Sequence, residues 1–127
     1  MKKILLKKNL PLSISIPIVL SAALTYGFFP QIFIHVDTNT MDEANILKAI
    51  MGLYLAFASL WIIGVYNEKY WKTATTSNML FMFGLGFGRI ISMICDGIPS
   101  TIFVFGTIAE LILGFYALVQ LKKYSNI

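Results

Sequence analysis

Arg89 and Glu110 are the residues of this sequence best placed to do chemistry, because each stands alone inside a long apolar stretch. An arginine near the middle of a membrane span costs about 2.5–3.5 kcal/mol even on the lenient insertion scale, so it needs a partner. Arg89 lies seven residues before Asp96, and Glu110 nine after Thr101. At 1.5 Å rise per residue those offsets reach about 10–14 Å, which puts both groups at similar depth if the segments are antiparallel helices. The short Asp96–Ser100 connection would make them neighbours. Two roles then stand open: a structural ion pair, or the anchor of a pocket whose guanidinium recognises carbonyl or anionic groups.

Other polar residues share helical faces with these two. Asn78, Met82, Leu85, Arg89, Ser92 and Asp96 follow steps of four and three, which align on one side of a helix. Asn45, Lys48, Gly52, Ala56 and Ser59 do the same earlier in the chain, and Phe103, Gly106, Glu110, Gly114 and Ala117 later. Each stripe is expected to point inward. The candidate ligand-binding residues are therefore Arg89, Glu110, Asp96, Lys48, Asn45, Ser92 and Tyr54, with Lys48 and Asp96 expected as a pair at the rim. Small residues such as Gly84-x-x-x-Gly88 also let membrane helices approach closely, which is the plainer use of the glycines. The single cysteine, Cys95, excludes an intramolecular disulfide and a CxxC pair, and the single histidine, His35, excludes bis-histidine haem ligation within one chain. Nothing in the sequence assigns a catalytic residue, a metal-ligand set or a cofactor.

The elements that must position these groups follow from hydropathy. Hydrophobic residues make up 57% of the 127 and charged residues 13%. Soluble domains carry about 45–50% and about 25%, and a small soluble fold could not hide the difference. Four apolar segments are long enough to cross a bilayer, at about 10–29, 41–65, 76–95 and 101–121. The first follows Met1-Lys2-Lys3 and Lys7-Lys8 like a signal peptide, with Ser21-Ala22-Ala23 as a weak cleavage site. It continues past that site for a full membrane width and reads as a span. Pro11 fits its first turn, and Pro17 should kink it. Thr40-Met41-Asp42-Glu43 has the form of a capping box opening the second span. Asn67–Asn78 reads as a polar connection with interfacial Tyr70 and Trp71, and Gly97 with Pro99 closes the third span. The expected fold is an all-α four-helix transmembrane bundle, a single domain over 1–127.

Lysines set the orientation. Lys2, Lys3, Lys7, Lys8, Lys69, Lys72, Lys122 and Lys123 fall at one end of the spans, and Lys48 is the lone basic exception at the other, among Asp37, Asp42, Glu43 and Asp96. By the positive-inside rule both termini and the middle loop are expected in the cytoplasm. The net charge of +4 reflects this clustering and not a nucleic-acid surface.

The stretches Leu47–Tyr54, Gly88-Arg89-Ile90-Ile91-Ser92 and Asp96-Gly97-Ile98-Pro99-Ser100 resemble a bacterial four-helix integral membrane family of unknown function (DUF4345-like), and more distantly the DoxX-type four-helix proteins. The resemblance covers the chain from the second span onward. Lys48 stands where the family leads one to expect arginine, keeping the charge but losing the planar fork. What the resemblance implies is a fold and residence in the bacterial inner membrane, with no reaction attached. Three functions are weighed: a bundle that binds a small lipophilic or anionic ligand, a membrane partner subunit or a further copy of itself; a quinone-linked redox subunit, suggested by the DoxX-like resemblance; and a small proton-coupled transporter built on Glu110. The strong lysine bias disfavours the last, since small exporters of that kind often insert both ways.

Overall fold

The structure, a computed structural model, describes residues 2–125. Met1, Asn126 and Ile127, which the sequence reading counts within the domain, lie outside the described residues. Among the described residues there are five helices: α1 (Lys2–Phe28), the single turn α2 (Pro30–Phe33), α3 (Met41–Tyr66), α4 (Glu68–Asp96) and α5 (Thr101–Tyr124). Among the described residues there is no strand, and α1, α3, α4 and α5 are each long and apolar enough to cross a membrane.

The long helices run further than hydropathy alone marks. Pro11 lies well inside α1 and not in its first turn. Lys7 and Lys8 continue the helix, and the Asn9 amide donates to the Val65 carbonyl of α3. The stretch read as a polar connection is almost wholly helical. Asn67 both ends α3 and caps α4, its side chain accepting from the Lys69 N–H at 3.1 Å. Glu68 in the first turn suits the positive end of the helix dipole. Trp71, Ala74 and Thr75 then bury one face of this polar-looking segment, and Lys8 of α1 pairs with Glu68 while its ammonium lies 4.3 Å from the Trp71 ring centroid. Tertiary packing supplies here what composition did not advertise. At the other end of α3, the Thr40 hydroxyl accepts from the Glu43 N–H, and the Glu43 carboxylate accepts from the N–H groups of Thr40 and Asn39.

The spans neighbour one another in chain order, α1 against α3, α3 against α4, α4 against α5. The closing contact of α5 with α1 is sparse, and α1 also reaches α4 across the diagonal. Close approach is set by glycines with neighbours where a Cβ would stand: Gly27 against Met51, Gly64 against Ala74, Gly86 against Leu111 and Gly114 against Phe83. Gly84 and Gly88, read as a packing motif, have nothing within 4 Å of that position, and Gly86 between them makes the contact instead. Large side chains such as Leu80, Phe87, Ile91, Ile94 and Phe115 face outward, as expected where lipid is the solvent.

The stripe expected on the inward face of α3 points outward. Asn45, Lys48, Gly52, Ala56 and Ser59 are exposed, while Tyr54, Ala58 and Trp61 are buried. Spacing was right and the choice of face was wrong, because aromatic rings fill this core. Tyr54 meets Phe81 edge-on at 5.0 Å between centroids, and Trp61 meets the same ring at 5.2 Å.

Toward the lysine-rich end the core is polar. Ser15, Thr75 and Asn78 are wholly buried and Gln120 nearly so, and each carries a buried polar atom without a protein partner. A buried hydroxyl left unpaired costs about 1–3 kcal/mol. Thr75→Val keeps the shape and removes the hydroxyl, so it is expected to raise the thermal unfolding midpoint, by the equivalent of about 1 kcal/mol. A midpoint at or below that of the parent protein would show that the hydroxyl is paired in the bilayer.

Candidate functional site

The deepest charged group on α4, Arg89, points into the bundle. Its Nε donates to both Glu110 carboxylate oxygens at 3.0 Å, and one terminal nitrogen donates to the Tyr26 hydroxyl at 3.0 Å. The Glu110 side chain is 14% exposed and that of Arg89 23%, so the pair is largely removed from solvent. Its guanidinium carbon also stands 5.5 Å from the Phe103 ring centroid. Three spans therefore hold one charged centre: α1 through Tyr26, α4 through Arg89, α5 through Glu110 and Phe103. Gly97, with φ at 103°, makes the tight α4–α5 reversal that sets the depths of the last two.

Two spaces border this centre. A cleft of about 640 Å³ lies between α1 and α5, where the bundle is least closed. Ile18, Ala22, Thr25, Phe29, Ile102 and Gly106 form its sides, Phe33 and Ile34 bound it toward the acidic end, and Arg89, Glu110 and Tyr26 supply its polar head. Behind the ion pair is a void of about 60 Å³, large enough for water, which Tyr54 lines together with Tyr26, Arg89 and Glu110. Val19, Met82 and Leu113 close it on the lysine side and are nearly fully buried.

The seven residues singled out from sequence thus separate. Arg89 and Glu110 are joined, and Tyr54 lies beside them with its ring 5.7 Å from that of Tyr26. The Ser92 hydroxyl donates to Asp96 at 3.0 Å, but both residues are exposed and neither lines the cleft. Asn45 is exposed on the outward side of α3. Lys48 does not meet Asp96: among the described residues the ion pairs are Lys8–Glu68 and Arg89–Glu110, and the Lys48 ammonium lies 5.6 Å from the Phe28 ring centroid. The start of α3 packs toward α1, with Lys48 beside Phe28, so the rim pair with Asp96 is not formed. No three His, Cys, Asp or Glu side chains converge among the described residues.

Sequence reasoning missed Tyr26 and with it the whole contribution of α1. The signal was present in Ser21, Ala22 and Thr25, small side chains around an aromatic hydroxyl, which leave a groove along one side of an otherwise bulky helix.

The sequence profile of a family described only as a domain of unknown function, DUF4345, matches residues 8–121. The chain belongs to the DUF4345 family. The matched stretch takes in all four DUF4345 spans and every residue of the Tyr26–Arg89–Glu110 centre. No curated protein and no solved structure matches the chain.

Proposed function

We propose that this DUF4345 protein is a multi-pass membrane protein that binds a lipophilic molecule, taken sideways from the bilayer, with its polar head on Arg89 and Tyr26. The observation that carries this is the 640 Å³ cleft, apolar along its sides and ending on a hydrogen-bonded charged centre. Such a combination, apolar walls with a few convergent polar groups, is the usual form of a small-molecule site. Arg89 and Glu110 cancel in formal charge, so the head favours a neutral acceptor such as a carbonyl over a free anion. Val19, Met82 and Leu113 put an apolar layer between the void behind the ion pair and the buried polar groups nearer the lysine end, which favours binding over proton-coupled transport.

Gly106 offers a clean test, because it lines the cleft yet has nothing within 4 Å of where a Cβ would stand. Gly106→Leu is expected to leave the thermal midpoint unchanged or higher, since glycine costs a helix about 1 kcal/mol relative to good helix formers. Mass spectrometry of the purified protein should then find a co-purifying lipophile with the parent chain and not with the variant. Equal recovery from both would sink the cleft as the binding place. A quinone in that fraction would point instead to the redox-subunit reading.

The lysine distribution supports both termini in the cytoplasm of a bacterial inner-membrane protein. Reporter fusions at Ile127 and within Gln31–Thr40 are expected to report opposite compartments. Identical signals would reject the orientation.

A further inference from the structure

A second set of polar groups lies apart from the charged centre, toward the lysine end. Ser15 of α1 and Asn78 of α4 are wholly buried, and Gln120 of α5 is 6% exposed. Ser15 Oγ, Asn78 Oδ1 and Nδ2 and Gln120 Oε1 are buried atoms without a protein partner. The hydroxyls of Thr25, Ser59, Thr76, Ser77 and Thr107 each donate to a carbonyl of their own helix. Ser15, in the middle of α1, does not.

The contacts of the bundle put these three residues at one level. α1 and α4 run parallel, and the pairs Lys8 with Trp71 and Tyr26 with Arg89 share an offset of 63 residues. The long Lys8 side chain also reaches Glu68, one turn lower. The shared offset sets Ser15 level with Asn78, and Leu12 level with Thr75. Gly64, which borders both Leu12 and Ala74, agrees with it. α4 and α5 run antiparallel, with Phe83 against Gly114, Gly86 against Leu111 and Arg89 against Glu110. Continued along the two helices, these pairs bring Asn78 level with Val119–Leu121, and so with Gln120. α1 touches both α4 and α5. The Thr75 hydroxyl, one turn lower, lies level with the apolar Leu12 and outside this group.

The chemistry of the layer selects its ligand. Asn78 brings two N–H donors and an acceptor, Ser15 a donor and two lone pairs, and Gln120 an acceptor. An anion would leave the Asn78 and Gln120 oxygens unserved, and a cation the Asn78 N–H groups. At 1.5 Å rise per residue the ion pairs at Lys8–Glu68 and Arg89–Glu110 stand about 10 Å or more away along the helices, and each is already neutral as a pair. A molecule that both donates and accepts serves every group, and water is small enough to lodge between packed helices.

We propose that Ser15, Asn78 and Gln120 form a buried water site that joins α1 to α4 and α5. The water accepts from the Asn78 amide and donates to the Gln120 oxygen, and the Ser15 hydroxyl turns to complete the set. The bridge fastens α1 at a level below the lipophile cleft and does not depend on what the cleft binds.

The experiment uses the full chain in phosphatidylcholine bilayers, with nitrogen-15 in its asparagine and alanine residues. Water-edited solid-state NMR measures how fast magnetisation passes from water protons to each nitrogen. The backbone amide of Ala58, wholly buried on α3 between Tyr54 and Trp61, is the dry reference. The Asn78 side-chain amide is expected to build up about threefold faster than Ala58, because a bridging water lies within one hydrogen bond of it. Ser15→Ala and Gln120→Met are each expected to remove about half or more of that gain, since each deletes one of the two to four partners a buried water needs. The exposed Asn45 side chain should give the same build-up in all three proteins. Ser15→Ala removes a single oxygen from a helix that tolerates alanine, so it decides the point should Gln120→Met fail to fold. The proposal is overturned if Asn78 builds up no faster than Ala58, or if its gain survives Ser15→Ala undiminished.

Discussion

Arg89→Met and Glu110→Leu, made singly, are each expected to destabilise the protein by about 3–5 kcal/mol, because each strands one buried charge without its partner. The losses are not expected to add. Made together, the two changes replace an ion pair by apolar groups of comparable size, which is often neutral or stabilising. The double variant should therefore recover most of the parent's thermal midpoint. What it should not recover is the co-purifying lipophile, since neither methionine nor leucine can donate to a carbonyl. A double variant that keeps both stability and ligand would reduce the pair to packing and remove the centre of the proposed site. Tyr26→Phe separates the roles further: it leaves the charge pair intact but deletes the hydroxyl that orients the guanidinium.

The second large effect is expected at Gly64. A Cβ there would collide with the Cβ of Ala74 on α4, and Leu12 of α1 stands 3.6 Å off on the other side. Neither the Ala74 methyl nor the helix that carries it can turn aside, so Gly64→Val must force α3 and α4 apart. Overpacking of this kind costs about 1–3 kcal/mol, occasionally more. Because the shift would also strain the one-residue link at Asn67, the upper part of that range is the expectation. Gly52→Ala is the matched control: nothing lies within 4 Å, and the gain in helix propensity should leave stability equal or slightly raised. If the two substitutions shift the thermal midpoint alike, the tight α3–α4 approach is not present in the folded protein.

The contrast between those glycines shows how far residue patterns reach. Hydropathy and lysine placement outline four spans, and depth counting brings Arg89 to Glu110, because both rest on distances measured along one helix. Patterns on a helix face are weaker evidence. Gly52, Ala56 and Ser59 have the spacing of a packing seam but face outward, while Gly64, Gly86 and Gly114 pack. Which face turns inward depends on what the neighbouring helix offers, and that is a property of pairs of segments. Tyr26 escaped notice for the same reason: its role exists only through a guanidinium 63 residues further along the chain. Lys48 was grouped with Asp96 because both lie near one surface, whereas α3 packs along α1 and brings Lys48 beside Phe28.

The sparse contact between α1 and α5 has a consequence for any affinity measured on this protein. A molecule that enters through that seam comes from solution in lipid, so the relevant concentration is its mole fraction in the bilayer. Occupancy should then follow the ratio of ligand to lipid and be insensitive to the aqueous volume. Diluting the sample with buffer would leave the site filled, whereas adding empty vesicles would drain it.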